Sequence, residues 1–247
     1  MDHRLEQVPA VVDLAADLAD EVTGLYVGGS VASGDYRPGV SDIDAVALVE
    51  RVPDRAQRDG ISARHRQLVR EVPGAAALHC VYVARPVAQD PARRHWTWAF
   101  DELFRRPLSG IARAELLADP VVVCGPAPST WLPPLGPDDI RAAARAELTG
   151  YWRKAVRKRA IWEQDVYVDH GVTTVARADL TIDRGRLVTK SAALSRLLEL
   201  GLPADIVDGV VRRRAGESVP MAPEERSARA AVVRRFVAAQ IERLGEG

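Results

Sequence analysis

Leu25–Val49 reads LYVGGSVASGDYRPGVSDIDAVALV, and the physical demands of its parts decide how the chain folds around it. Gly24-Leu25-Tyr26-Val27 has the makings of a short strand that stops at Gly28-Gly29. Two glycines there let the backbone approach another group with no Cβ in the way. A helix is expected to begin near Ser30–Ala32, where the Ser30 hydroxyl and first-turn N–H groups suit phosphate oxygens. Residues 33–41, with their Gly, Pro, Asp and Ser, read as an irregular loop. Asp42–Val49 alternates and then turns wholly apolar, as a strand half-exposed at its start would. Asp42 and Asp44 fall two apart on that strand, so both side chains are expected on one face and Ile43 on the other. Adjacent carboxylates repel unless a cation neutralises them. Hard oxygen ligands favour Mg²⁺, which completes its shell with substrate phosphates. A phosphate cradle beside a metal clamp equips a site for in-line attack on a nucleotide phosphate. Either half by itself also reads as a plain glycine turn or an exposed acidic loop. The pairing of the two, with strand context on both sides, is what points to chemistry.

Outward from this segment the pattern is mixed on one side and helical on the other. Val11–Val22 is amphipathic at helical spacing, Arg55–Val72 and Ile111–Leu117 read as helices, and Leu78–Val83 and Val121–Cys124 as strands. The arginine- and tryptophan-bearing stretch 86–107 resists assignment. Prolines then cluster between 126 and 137, and the spacing beyond predicts helices over 140–163, 172–182, 191–200, 204–213 and 224–244. The expected organisation is an α+β domain with a mixed sheet over 1–125, a Pro-rich linker over 126–137 and an all-α helical bundle over 138–247.

The composition narrows the function classes. The 247 residues carry 34 basic and 34 acidic side chains, a net charge of zero that argues against a protein built on phosphate-backbone electrostatics. Nucleic acid is therefore not the expected partner, and the run Arg153-Lys154-Ala155-Val156-Arg157-Lys158-Arg159 reads as a solvated helix face. Two cysteines in no CxxC spacing point to neither a disulfide framework nor a structural zinc site. With no signal-like N-terminus and no membrane-length apolar run, a cytoplasmic protein without a membrane partner is expected.

The spacing Gly28-Gly29-Ser30 … Ser41-Asp42-Ile43-Asp44 resembles the signature of the polymerase-β-type nucleotidyltransferase superfamily. The two-part layout is similar to that of the aminoglycoside adenylyltransferases that modify streptomycin and spectinomycin. This resemblance implies an N-terminal nucleotidyltransferase domain, with Gly29, Ser30 and Ser41 around the triphosphate of ATP and Asp42 and Asp44 as catalytic Mg²⁺ ligands. It implies that Arg177 and Lys190, in the helical part, reach the phosphates; otherwise both are ordinary surface charges. Lys190 falls at a helix start, where a cation opposes the macrodipole and a bound polyphosphate would relieve the conflict. The implied reaction moves AMP from ATP to a hydroxyl of a small, aminoglycoside-like acceptor.

The pattern breaks at one place. Members of the superfamily usually carry a third carboxylate on the next strand, and here that strand reads Ala77-Leu78-His79-Cys80-Val81-Tyr82-Val83. Three readings are open. His79 faces the two aspartates and serves as the base, since an imidazole accepts a hydroxyl proton near neutrality. A carboxylate arrives from elsewhere, with Asp101 and Glu102 nearest. Or the protein is a nucleotide-binding module without transferase activity. Trp96 and Trp98 read either as core or as a stacking surface for a sugar ring. Asp165, Asp169 and His170 are expected in a loop, whose two carboxylates match a cationic acceptor.

Overall fold

In the computed structural model, which describes residues 2–245, the chain divides into two compact units, Met1–Leu135 and Gly136–Gly247. The first contains helices α1 (Pro9–Asp17), α2 (Gly29–Ala32), α3 (Arg55–Glu71) and α4 (Gly110–Ala118). Its strands are β1 (Gly24–Val27), β2 (Ile43–Val49), β3 (Leu78–Ala84), β4 (Arg94–Ala99), β5 (Glu102–Pro107) and β6 (Val121–Cys124). They form one six-stranded sheet in the order β5-β4-β3-β2-β1-β6. Only β2 and β3 run parallel, so the sheet is mixed, as the sequence predicts. A parallel pair requires a long crossover, and α3 supplies it. Its start is set locally: Asp54 accepts from Gln57 N and Gln57 Oε1 accepts from Asp54 N, each at 2.9 Å. Such a capping box satisfies two otherwise orphaned donors.

Strand alternation sorts the sheet into two faces, and this positions the site. Leu25, Val27, Ala45, Ala47, Cys80 and Tyr82 pack on one face in a core with Val11 and Leu14 of α1 and Ile61 and Leu68 of α3. Tyr26, Val46, Leu48, Val81 and Val83 pack on the other, with Leu116 of α4, Trp131 and Leu132. β2 and β3 are buried on both faces, which accounts for their apolar runs.

Two expectations for this unit need correction, and one unassigned stretch takes a definite form. The first helix ends at Asp17 and not at residue 22. The unassigned stretch 86–107 contains the hairpin β4–β5, which pairs Ala99 with Glu102 across its turn. Pro126–Leu135 is no loose linker but part of unit 1. The Tyr26 hydroxyl donates to Pro126 O at 2.7 Å, the Tyr26 and Trp131 rings lie 5.6 Å apart, and Trp131 and Leu132 are buried. Prolines marked this segment as irregular, but its apolar residues had a sheet face to cover.

Unit 2 is helical: α5 (Pro137–Glu147), α6 (Arg153–Ala155), α7 (Asp165–Arg184), α8 (Lys190–Ala193), α9 (Arg196–Glu199), α10 (Ala204–Arg214) and α11 (Pro223–Gly245). The single helix expected over 140–163 is broken by a π-helical turn at Leu148–Trp152 and a 3₁₀ turn at Arg159–Glu163. The break folds Trp162 back so that its indole donates to Ala155 O at 3.2 Å and fills the unit's interior. α7 is the central helix, burying Val168, Val172, Val175 and Ala176. At Gly171 a Cβ would fall 2.7 Å from the Trp162 ring, so only glycine admits this indole against the helix. The basic run 153–159 is exposed at its five charged positions and crosses α6 and the turn after it. No helix among the described residues is long and apolar enough to cross a membrane.

Candidate active site

The turn between β1 and α2 is built against β2. Gly28 N donates to Asp44 O at 2.9 Å, which ties the end of β1 to the start of β2. Gly29 has φ +59°, and a Cβ on it would lie 2.6 Å from Asp44 Oδ2. Glycine is needed here twice over, for the left-handed backbone and for the carboxylate that rests on it. The close approach that the glycine pair announced is thus made by the chain's own aspartate. Asp44 nevertheless remains exposed, so its carboxylate is open to a ligand.

Ser30 and Ser41 brace the loop that leads to the aspartates. Ser30 Oγ donates to Asp42 O at 3.4 Å, and Ser30 O accepts from Asp35 N at 2.9 Å. Ser41 is buried; its Oγ accepts from Arg37 N at 3.1 Å and its own N–H donates to Arg37 O at 2.8 Å. Asp42 is half-buried and lies just before β2, so of the two aspartates only Asp44 is a strand residue. α2 has four residues, too short for a large macrodipole, and its first-turn N–H groups lack acceptors within the helix.

His79 falls opposite Asp44 in the parallel β2–β3 register. Paired residues share a face, so His79 joins Asp44 on the face of Val46, Leu48, Val81 and Val83. The imidazole is buried, and its ring lies 4.8 Å from that of Phe100 at an interplanar angle of 61°. Phe100 and Asp101 form the tip of the β4–β5 hairpin, with φ +56° and +60°. Two left-handed residues are what a tight hairpin turn of this hand requires, and Asn-Gly is the usual solution. A phenylalanine there costs roughly 1–2 kcal/mol.

The other candidates near His79 are displaced from this site. Asp101 Oδ1 lies 3.9 Å from Arg66 Nε of α3, the helix that covers the opposite face. Glu102 is two strands beyond His79 in the sheet order, roughly 10 Å away at the usual strand spacing, too far to share a metal with Asp44. Trp96 and Trp98 pair with Tyr82 and Cys80, and so lie on the α3 face. There the Trp98 ring stacks on His65 at 5.0 Å, and the Arg58 guanidinium sits 4.8 Å from the Trp96 centroid. They are not a stacking surface beside His79. His65, buried below Trp98, has its pKa pushed down to about 3 by desolvation, and its Nε2 meets the Tyr82 hydroxyl at 2.9 Å.

Among the described residues no group of three or more His, Cys, Asp or Glu side chains is arranged to hold a metal ion. The donor set present is the carboxylate pair Asp42 and Asp44, which fits Mg²⁺ in its usual mode of one or two carboxylates completed by substrate phosphates.

In unit 2, Arg177 lies on α7, and its Nε donates to Val188 O at 3.0 Å. Lys190 is the first residue of α8, which Thr189 caps by accepting from Ala192 N at 3.2 Å. Both face Glu147 electrostatically. Desolvation raises the Glu147 carboxyl, and the charges of Arg177 and then Lys190 oppose the rise. The Glu147 side chain stays open to solvent even so. The sequence offered no signal for Glu147, which ends α5 without a motif around it. Asp165 and Asp169 lie within α7 and not in a loop. Asp165 Oδ1 accepts from Arg229 at 2.5 Å, and Asp169 accepts from Arg213 at 2.6 and 2.8 Å. Their charges are already met by guanidinium groups, which removes the expected match to a cationic acceptor.

Residues 11–79 match the family model for a nucleotidyltransferase domain, a span that includes Gly29, Ser30, Ser41, Asp42, Asp44 and His79. Among solved structures, the fold is similar to that of the spectinomycin adenyltransferase AAD(9) from Enterococcus faecialis, solved with ATP and spectinomycin. The TM-score is 0.69 at 14% identity, over 94% of this chain and 98% of that one. No curated protein matches the sequence significantly.

Proposed function

We propose, from the premise that residues 11–79 are a nucleotidyltransferase domain and the chain an enzyme of that type, that it moves AMP from ATP to a hydroxyl of a small, aminoglycoside-like molecule. The observation that carries the reading is the Asp44 carboxylate resting on Gly29, with His79 beside it in register on the same face. The neighbouring fold, solved with ATP and spectinomycin, supports the choice of nucleotide and acceptor.

In this reading Asp42 and Asp44 hold Mg²⁺ that arrives with the nucleotide. When bound, the ion polarises the α-phosphate and offsets charge on the departing pyrophosphate. Gly29 and Ser30 lie along the triphosphate, and Ser41 fixes the loop that presents Asp42. The acceptor oxygen forms its bond to the α-phosphorus as the bond to pyrophosphate breaks, and the hydroxyl proton passes to the His79 imidazole. Incubation with Mg-ATP and an aminoglycoside panel, followed by mass spectrometry, is expected to yield an acceptor heavier by one AMP. His79→Ala is expected to lower kcat by about 10²–10⁴-fold, the usual worth of a general base, with nucleotide affinity little changed. An unaltered kcat would remove His79 from the reaction.

Gly29→Ala tests the turn. A Cβ would collide with Asp44 Oδ2 and disfavour φ +59°, so the carboxylate must move. Displacements of about 1 Å at a reacting centre cost about 10²-fold, and a loss of that size in pyrophosphate release is expected. Activity within twofold of the parent would show that the carboxylate's seat on the turn is irrelevant.

A second reading, a nucleotide-binding module without transferase activity, is favoured by the histidine where a third carboxylate is usual and by the lack of a three-ligand cluster among the described residues. It expects Mg-ATP binding with no pyrophosphate release for any acceptor.

A further inference from the structure

Phe100 is the most exposed large hydrophobic side chain among the described residues, at 74%. Its ring nonetheless touches the buried His79 imidazole, 4.8 Å between centroids. Its backbone is held in the left-handed region, where an aromatic residue is an outlier. Packing does not account for a phenylalanine at this position, because so exposed a ring contributes little burial. Strained, solvent-facing residues of this kind concentrate at ligand-contacting sites.

We propose that Phe100 is the acceptor platform: its ring stacks on the C–H face of a saturated, amine-bearing sugar or cyclitol and sets which hydroxyl reaches His79. The inference rests on the transferase reading, because it takes His79 as the group that meets the acceptor hydroxyl. A hydroxyl brought to that imidazole comes up beside the ring that lies against it. An aromatic face suits this acceptor class in two ways. It covers apolar C–H edges, and it attracts protonated amines through its quadrupole. Phe100 thereby takes the role that Trp96 and Trp98, on the other face of the sheet, are not placed to fill.

The chain has three phenylalanines, Phe100, Phe104 and Phe236, which makes a direct readout practical. Protein labelled with 4-fluorophenylalanine gives three ¹⁹F resonances, and Phe100→Leu assigns one of them. Spectinomycin or streptomycin is expected to shift the Phe100 resonance saturably, with the other two unmoved. Phe100→Gly accommodates the positive φ while removing the ring, so it is expected to raise thermal stability and to raise acceptor KM about tenfold with KM for ATP unchanged. Turnover with an unmoved Phe100 resonance and an unchanged acceptor KM in Phe100→Gly overturns this inference and leaves the transferase reading standing. A shifted resonance without turnover keeps the ring as a contact for the sugar or cyclitol but overturns the transferase reading, and with it the ring's part in presenting a hydroxyl to His79. Neither shift nor turnover overturns both.

Discussion

Asp44→Asn is expected to lower kcat/KM for nucleotidyl transfer by about 10³-fold or more, equivalent to about 4 kcal/mol of transition-state stabilisation, while the melting temperature stays within a few degrees. The two halves of this expectation have separate causes. Asparagine matches aspartate in shape, so the contact with Gly29 and the backbone bond from Gly28 N to residue 44 O are kept. Asp44 is exposed and its side chain closes no core, so folding loses little. What the substitution removes is negative charge at the position proposed to face the nucleotide. With only Asp42 remaining of the carboxylate pair, Mg²⁺ would lose one of its protein oxygens. Pyrophosphate release at saturating Mg-ATP, run beside a thermal melt of the same preparation, reads both halves. Chelation of Mg²⁺ by EDTA is expected to mimic the activity loss in the parent protein and to leave its melt unchanged. Full activity in Asp44→Asn would show that the carboxylate pair is not the metal site.

The largest stability effect is expected in unit 2, at Asp179. This α7 residue is 5% exposed and accepts from Arg196 at 2.6 Å and from Arg243 at 2.5 Å. Through them it joins α7 to α9 and to the last turns of α11. The outcome of mutation depends on which partner is removed. Asp179→Ala leaves two arginines that are already partly solvated and can turn to water, so the cost is expected near 2 kcal/mol, below the sum of two charged hydrogen bonds. Replacing both Arg196 and Arg243 with alanine strands a buried carboxylate, and breaking a buried pair in that direction costs about 3–5 kcal/mol. At 2–4 °C per kcal/mol for a chain of this size, the double variant is expected to melt roughly 10 °C lower. Thermal unfolding of the three proteins checks the ordering. A double variant no worse than Asp179→Ala would mean that the buried carboxylate finds water without its arginines.

Neither pairing was legible beforehand, whereas much of the candidate site was. The segment 25–49 declared itself because its constraints are local. Glycine at 29 meets a backbone requirement, and the alternation of 43–49 assigns faces by the geometry of a strand. The reach of such reasoning ended at the first long-range pairing. Nothing in Leu78–Ala84 says that His79 falls opposite Asp44; the β2–β3 register decides it, and that register follows from which apolar residues both strands bury on each face. The stretch 86–107 was opaque because its hairpin turns on Phe100-Asp101 and lacks the Asn-Gly that announces such a turn. Asp165 and Asp169 read as loop residues because they precede the spacing that predicts a helix over 172–182. The helix starts at Asp165 instead, with Val168 and Val172 buried along it, and Arg213 and Arg229, more than forty residues away, pair with the two aspartates.

By itself, then, the sequence determined the division into an α+β part and a helical part, the glycine turn and the aspartates of the candidate site. These rest on backbone geometry and periodicity, which act over a few residues. Only the tertiary structure decided that the Asp44 carboxylate rests on Gly29, that His79 stands beside it, that Phe100 and not a tryptophan edges the imidazole, and that the acidic residues of α7 are already paired. Those facts depend on contacts between segments distant in the chain, and such contacts are selected by burial and charge pairing across the whole fold.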